Sequence, residues 1–363
     1  MRNLRLRILA IATVAAAAIA LTPALAAASP DSLQQFADEA ARTGVVGLQV
    51  RITSAGHTRI VRAGTAVRGT SLPVPVNGRF RIGSTTKMFL STVVLQLVGA
   101  GTVDLDSPVS RYLPGVLADG DKITVRMMLQ HTSGLHDYTD DVPLDGKAYQ
   151  RIRFQHQSAE AFVAEAAAKP RNFPAGTAWS YSNTNYLLAG MLIEAVTGHS
   201  WGDEVTQRVF RPLGMHDSSA PGDNPFIAGA HVHAYLPVDG YAVDTTEINP
   251  TIAGASGALV STTADLDRFL AGLTGGRLLA PAQFAEMRRT LPFSSGYGLG
   301  FMQIPLTCGT AWGHAGGIQG FNTFAMTSLD GMRRVEAYAT PYEPTAEAST
   351  AVRNLLDTAY CGG

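Results

Sequence analysis

The sequence has little of what marks several functional classes. Only 16% of its 363 residues are charged, the formal net charge is -1, and no basic run appears beyond the extreme N-terminus. Nucleic acid and anionic membranes favour clustered lysine and arginine, so neither is expected as a partner. No glycine-rich phosphate loop follows a predicted strand, and a nucleotide cofactor is therefore not expected.

The apolar run at the N-terminus is short. It extends from Ile8 to Leu21 behind three arginines, and Pro23 and the small-residue signal Ala24-Leu25-Ala26 follow it. A bilayer span needs roughly 20 apolar residues. Residues 1–28 are therefore predicted to be a secretory signal cleaved near Ala26 to Ala28, rather than a retained membrane anchor. The mature chain is expected to be secreted.

Cysteine is nearly absent. Cys308 and Cys361 are the only two, and both survive the predicted cleavage. In an exported protein such a pair is more often a disulfide than two buried thiols, which remain the alternative. The bridge would tie the C-terminal helix to the strand region before it and would have no catalytic part.

The pattern of apolar residues predicts an α+β fold. Leu33 to Thr43 has helical spacing, and two alternating runs around Ser54, Ala55 and Gly56 indicate a β-hairpin. The middle of the chain is mainly helical in pattern, and strand signals return late, with Asp330-Gly331 as a second hairpin turn. We predict an antiparallel β-sheet flanked by N- and C-terminal helices, with a mainly helical subdomain inserted between them. The predicted single domain is 29–363, with 29–88 and 254–363 in the sheet part and 89–253 in the helical part.

One short motif raises a catalytic possibility. In "RIGSTTKMFL", Ser84 and Lys87 lie three positions apart at the start of a predicted helix, so they share a face. Unpaired backbone N–H groups at a helix start suit a developing oxyanion. A chain of this length contains on the order of one Ser-x-x-Lys by chance. By itself, the pair is either a catalytic device or two polar residues in an ordinary helix.

Two further segments could complete a site. "WSYSNTNY" places Tyr181 and Asn183 before a helix, with Asn183 or Asn185 as the predicted N-cap, and "WGHAGG" places His314 in a strand. Ordinary pKa values of about 10 for tyrosine and 10.4 for lysine are too high for a base at neutral pH. Lys87 and a protonated His314 would favour the phenolate of Tyr181 and so lower that barrier.

Ser84-x-x-Lys87, Tyr181-x-Asn183 and His314-x-Gly316, in that order, resemble the three motifs of the penicillin-recognising serine hydrolases. Stretches such as "HTSGLHDYT", "STTADLDRFLAGL" and "GYGLG" extend the resemblance over nearly the whole mature chain. Within that group the chain is similar to the class C β-lactamases and, more closely, to the soluble D-alanyl-D-alanine carboxypeptidases. The resemblance implies a β-lactamase/transpeptidase-like fold and an acyl-enzyme mechanism without a cofactor.

The resemblance also implies a role for each matching residue. The catalytic residues are Ser84, Lys87, Tyr181 and His314, and the substrate-binding or oxyanion residues are Asn183, Gly316 and Gly317. Ser84 is the nucleophile, Lys87 helps to deprotonate it, and Tyr181 acts as general base and then as acid. Asn183 binds the substrate amide, and the N–H groups of Ser84 and Gly317 form the oxyanion hole. Whether lysine or tyrosine takes the first proton is left open.

The match fails at residues that recognise substrate. The relatives have threonines after their histidine and an arginine on the preceding strand, all able to bind a free carboxylate; this chain has Ala315, Gly317 and Met302. Ile252 stands where a relative has a cleft tryptophan. We expect a hydrolase of the carboxypeptidase type acting on D-Ala peptides, with an esterase or D-amino-acid amidase as the alternative and a weak penicillin-binding protein as a third reading.

Expected partners are a small peptide, amide or ester substrate and β-lactams as acylating inhibitors, and the chain is expected to be a monomer. Other histidines receive structural interpretations. His131 and His136, which flank "TSGL", are predicted to be packed or hydrogen-bonded loop residues. His231 and His233 could face one side of a strand, but no matching third ligand is evident, so no metal site is expected.

Overall fold

The computed structural model describes residues 30–143, 146–342 and 345–362, and the predicted signal segment lies outside the described residues. The helices are α1 (Pro30–Arg42), α2 (Thr86–Gly99), α3 (Val125–Leu129), α4 (Gly146–Ile152), α5 (Ala159–Ala167), α6 (Thr184–Thr197), α7 (Trp201–Val205), α8 (Arg211–Leu213), α9 (Thr263–Thr274), α10 (Pro281–Met287) and α11 (Ala346–Cys361). Within these ranges, every helix falls short of the length and apolar character that a membrane crossing requires.

The strands form one large antiparallel sheet and two small ones. They are β1 (Val45–Ser54), β2 (His57–Gly64), β3 (Phe80–Arg81), β4 (Tyr235–Val238), β5 (Tyr241–Asp244), β6 (Val260–Ser261), β7 (Met302–Leu306), β8 (Gly309–Ile318), β9 (Phe321–Thr327) and β10 (Arg333–Pro341). The six-stranded sheet has the order β2-β1-β10-β9-β8-β7. The early hairpin thus pairs with the late strands, as predicted.

The turn residues explain where the chain reverses. Ala55 and Gly56 between β1 and β2 have positive φ angles of 49° and 82°, and Gly331 between β9 and β10 has a φ of 70°. Ala55 and Gly56 form a two-residue turn, in which positive φ angles match the twist of the strands joined, and Gly331 lies in the longer connection 328–332. Both predicted hairpins are confirmed.

Helices cover both faces of the sheet. On one face, α1 and α11 pack on β1 and β10, with Leu33, Val50 and Leu355 among the buried residues. On the other, α2 is apolar almost all round, which is typical of a helix inside a core. Its Phe89 stacks on Phe269 of α9 with ring centroids 3.9 Å apart. The predicted α+β arrangement is confirmed, and the first turn of α2 is held firmly beneath the sheet.

One element was not predicted. The stretch expected to be mainly helical also contains the hairpin β4–β5, in which Tyr235 pairs with Asp244. Its turn residues Asp239 and Gly240 have φ angles of 51° and 81°. They form the same Asp-Gly signal as Asp330-Gly331, so the hairpin could have been found from sequence.

The expected disulfide is present. Cys308, in the turn between β7 and β8, is bonded to Cys361 at the end of α11 across a sequence separation of 53 residues. The Thr307 N–H and hydroxyl donate to the Asp357 carboxylate at 2.8 and 2.6 Å. The bridge and these hydrogen bonds together attach α11 to the edge of the sheet.

Candidate active site

A 3₁₀ turn at Gly83–Thr85 presents Ser84 just before α2. This turn packs directly on β8, and glycines allow the close approach. A Cβ at Gly316 would lie 2.0 Å from the Ile82 carbonyl oxygen, and one at Gly83 would lie 2.8 Å from the Gly317 nitrogen. Gly83 also has a positive φ of 51°. Glycine at these positions therefore brings Ser84 beside Gly317, as the predicted oxyanion hole requires.

Lys87 lies in the first turn of α2 and is fully buried. Its Nζ donates to Ser84 Oγ at 3.0 Å, to Asn183 Oδ1 at 2.7 Å and to the Ser256 carbonyl oxygen at 2.8 Å. Burial lowers the pKa of Lys87 to about 7, although the negative charge of Asp137 acts in the opposite direction. The predicted Ser–Lys pair is therefore in contact, and the lysine is partly neutral near pH 7.

Asn183 occupies the predicted N-cap position of α6, but its side chain does not cap the helix. Its Nδ2 instead donates to Asp137 Oδ2 at 3.0 Å and lies 3.4 Å from Thr139 Oγ1. The amide is thus engaged at both ends in the site. Burial raises the pKa of Asp137, while hydrogen bonds from Thr139 and Asn183 and the charge of Lys87 favour the carboxylate.

Tyr181 lies beside both members of the pair. The Lys87 Nζ lies 4.9 Å from its ring centroid, and the Tyr181 hydroxyl interacts with Ser84. Burial raises its pKa well above the usual value, and the interaction with Ser84 only partly offsets this. At neutral pH, Tyr181 is therefore a phenol that can donate a proton.

His131 holds the segment around Tyr181 from both sides. Its carbonyl oxygen accepts from the Ser180 N–H at 3.1 Å, and its Nδ1 accepts from the Ser182 N–H at 3.2 Å. The rings of His131 and Tyr181 are 4.3 Å apart. The structural interpretation of His131 agrees with these contacts, and the backbone φ of 63° at His131 shows how tightly the loop is constrained.

His314 lies on β8, as predicted, but it is not protonated. Burial, followed by the charge of Lys87, lowers its pKa to about 3. Its Nδ1–H donates to the Ala315 carbonyl oxygen, so Nε2 accepts from the Tyr297 hydroxyl at 3.0 Å. The expectation that a protonated His314 favours the Tyr181 phenolate is wrong, because a buried imidazole next to an ammonium group stays neutral.

This arrangement supports nucleophilic acyl transfer. A neutral Lys87 can accept the Ser84 proton over 3.0 Å, and the Tyr181 phenol can supply a proton to a leaving group. β7 begins at Met302, which pairs with Gly313, whereas β8 continues beyond Gly313 to Ile318 beside β9. The segment from His314 to Ile318 therefore extends past β7 next to the nucleophile.

The positions that differ from the motifs of the relatives lie on or near the segment from His314 to Ile318. Gly317 is exposed and Ala315 is partly exposed. Met302 is the residue paired with Gly313, one position before His314. Ile252 is buried against Tyr149, and Ile318 packs on the same apolar cluster. The described side chains at these positions are uncharged.

Sequence reasoning missed two residues that the structure places here. Asp137 lies in "HTSGLHDYT" and Tyr297 in "GYGLG", both stretches that carried the resemblance. Nothing in their spacing indicates a hydrogen bond to Asn183 or to His314, because both contacts join distant parts of the chain. Among the described residues, no group of three or more histidine, cysteine, aspartate or glutamate side chains is arranged to hold a metal ion.

Comparison with known proteins agrees with this geometry. Residues 33–356 match the family model described as Beta-lactamase. The D-stereospecific amidohydrolase from Streptomyces sp. has 34% sequence identity and a TM-score of 0.83, covering 92% of this chain and 99% of its own. The D-amino acid amidase from Ochrobactrum anthropi SV3 has 28% identity and a TM-score of 0.80, covering 90% and 97%. Penicillin-binding protein 4 of Amycolatopsis lactamdurans is 30% identical over 74% of this chain and 70% of its own.

The chain therefore belongs to the beta-lactamase family, within the superfamily of penicillin-recognising serine acyl-hydrolases.

The close approach of β8 and the 3₁₀ turn gives a first prediction. Gly316→Ala should destabilise the fold by roughly 1–3 kcal/mol, because the added methyl group overlaps the Ile82 carbonyl oxygen. The matched control is Gly317→Ala, whose Cβ would meet only Asn322 Oδ1, at 3.8 Å. Urea unfolding of both variants is the measurement. Equal stability of the two variants would show that the approach is looser than described.

The pKa of Lys87 gives a second prediction. The rate of Ser84 acylation should fall as the pH drops below about 7, because only the neutral amine accepts the serine proton. The measurement is the pH profile of the burst phase with a short-chain p-nitrophenyl ester. His314→Gln is the control, since an ordinary histidine would titrate nearby. A limb that disappears in this variant would assign it to the histidine and refute the role of Lys87.

Proposed function

We propose that this protein hydrolyses amides of D-amino acids through a Ser84 acyl-enzyme, releasing a leaving group that has no free carboxylate. The observation that carries the proposal is the pairing of a complete catalytic set with uncharged residues next to it. Ala315, Gly317 and Met302 stand where a cation or hydroxyl would bind the leaving group's carboxylate. A carboxylate without such a partner is poorly held in a partly dry cleft.

The chemistry follows from the contacts of the site. Lys87 takes the Ser84 proton while Oγ attacks the amide carbon, and the N–H groups of Ser84 and Gly317 stabilise the oxyanion. The C–N bond then breaks as Tyr181 protonates the leaving nitrogen. Water then attacks the resulting ester and gives a proton to the Tyr181 phenolate, while Lys87 returns the serine proton to Oγ; the acid is released and the Ser84 hydroxyl, the Lys87 amine and the Tyr181 phenol are restored.

The relatives support this substrate class. Two similar solved structures are a D-stereospecific amidohydrolase and a D-amino acid amidase, and each covers at least 90% of this chain. Hydrolysis of D-Ala peptides, the carboxypeptidase reading, is the second candidate. Similarity to penicillin-binding protein 4 favours it.

The test compares three substrates on the purified protein. D-Phenylalanine amide should be hydrolysed faster than L-phenylalanine amide. It should also be hydrolysed roughly tenfold faster than an N-acylated D-Ala-D-Ala peptide releases D-alanine, because the site offers no charged hydrogen bond to the carboxylate of that peptide. Ser84→Ala is the control and should abolish each reaction. Faster release of D-alanine would favour the carboxypeptidase, and an unaffected Ser84→Ala variant would exclude the acyl-enzyme.

A gain-of-function variant tests the same contrast between the amide and the D-Ala-D-Ala peptide. Ala315→Thr with Gly317→Thr should raise kcat/KM for the D-Ala-D-Ala peptide but not for the amide, since the hydroxyls would bind only a free carboxylate. A side chain at Gly317 has room, because a Cβ there would lie 3.8 Å from Asn322 Oδ1.

We also propose that the protein works outside the cell. Support comes from the signal-like segment 1–28 and from the Cys308–Cys361 disulfide, which is typical of an oxidising compartment. The intact mass of protein from the culture medium should correspond to cleavage near Ala26 to Ala28. It should also rise by about two daltons on reduction, as two thiols form from one disulfide. Retention of the full-length mass in the cell fraction would contradict export.

A further inference from the structure

Hydrogen bonds connect Asp137 to the catalytic pair Ser84 and Lys87, and among the described residues it is the carboxylate nearest to that pair along this connection. The chain runs from Asp137 Oδ2 to Asn183 Nδ2 at 3.0 Å and from Asn183 Oδ1 to Lys87 Nζ at 2.7 Å. Lys87 Nζ then contacts Ser84 Oγ at 3.0 Å. A carboxylate therefore connects to the nucleophile through one amide and one amine.

The orientation of the Asn183 amide depends on both of its neighbours. A carboxylate can only accept hydrogen bonds, so Nδ2 must face Asp137; an ammonium group can only donate, so Oδ1 must face Lys87. The Asp137 carboxylate is itself fixed, since the Thr139 N–H donates to its Oδ1 at 3.1 Å. It is the anchored end of the chain.

We infer that Asp137 is a positioning residue, which orients the Asn183 amide and thereby holds the Lys87 amine against Ser84. The catalytic importance of Asp137 rests on the proposed Ser84 acyl-enzyme. The hydrogen-bond chain itself does not depend on any substrate. Asp137 also supplies the negative charge that favours the ammonium form of Lys87.

Other groups face Lys87 from the elements packed around it. Ser84 and the Ser256 carbonyl contact its amine, and the rings of Tyr181 and Tyr186 lie 4.9 and 5.3 Å away. The nearby imidazoles of His131 and His314 both have lowered pKa values through burial and the Lys87 charge. These groups are neutral near pH 7, so Asp137 is the titratable neighbour whose charge acts on the lysine.

Two variants separate this role from simple capping. Asp137 accepts from the N–H of Thr139 as N-cap of the 3₁₀ turn Tyr138–Asp140. Asn and Ser are also good N-cap residues, so Asp137→Asn and Asp137→Ser retain the cap but remove the charge. Asn at 137 also offers a donor as well as an acceptor, which no longer fixes the Asn183 amide. The matched control is Asp140→Asn, which removes an exposed charge from the same turn.

The first readout is independent of activity. The chain has only four lysines, so labelling with [ε-¹³C]lysine gives few signals, and Lys87→Arg assigns the one of interest. Asp137→Asn and Asp137→Ser should move the Lys87 titration midpoint to lower pH, since a favourable charge is lost. Asp140→Asn should leave it at the wild-type position. Midpoints that coincide in all four proteins would overturn the inference, whether or not any substrate is turned over.

The second readout is the acylation burst with a p-nitrophenyl ester. In both Asp137 variants the acid limb should move to lower pH and the plateau rate should fall about tenfold, as expected for loss of a charged hydrogen bond that aligns the amine. Wild-type rates and limb position in these variants would refute positioning. A wild type that shows no burst would instead count against the acyl-enzyme, and the lysine titration would still decide the role of Asp137.

Discussion

The buried amine of Lys87 is the constraint on which the site depends. Removing an ammonium group from water costs several kcal/mol unless hydrogen bonds replace its hydration. Here three acceptors do so, and they come from three distant segments: the turn with Ser84, the residue before α6, and the turn that ends at Ser256. The hydrogen bonds that stabilise the Lys87 amine in the core are therefore the same ones that align it with Ser84.

Burial also determines the protonation state of the groups around Lys87. His131, His314, Tyr181 and Tyr297 all have pKa values shifted towards their neutral forms, mainly through burial. The centre thus holds a single titrating cation, with Asp137 as a counter-charge separated from it by Asn183. A site of this kind needs no ionised histidine, and it changes protonation at one group near neutral pH.

The sequence predicted the sheet and its flanking helices because those depend on local patterns. Alternating runs, turn residues such as Gly56 and Gly331, and the apolar length of α2 are visible without knowledge of contacts. The motif residues were also predicted in order, and the structure brings Ser84, Lys87, Tyr181 and Asn183 together.

What the sequence could not predict depends on burial and on contacts between distant segments. The charge of His314 was misjudged because the ordinary pKa of histidine ignores desolvation and the neighbouring amine. Asn183 was correctly placed at the start of α6, but its amide is used in the site rather than as a cap. Asp137 and Tyr297 were missed because their roles exist only once the loop, α6 and β8 are packed together.

Catalysis and recognition are separate features of this fold. The proton-transfer groups are fixed by buried contacts, whereas in the proposed function the leaving group meets β8 positions such as Ala315 and Gly317, which are accessible. Lys87 cannot compensate for a missing cation there, because it is fully buried and already donates to three acceptors. A leaving group with a free carboxylate would lose hydration without gaining a charged partner. An uncharged amide would lose far less, and this difference is the physical basis on which we propose amides rather than carboxylate-ended peptides as the substrate.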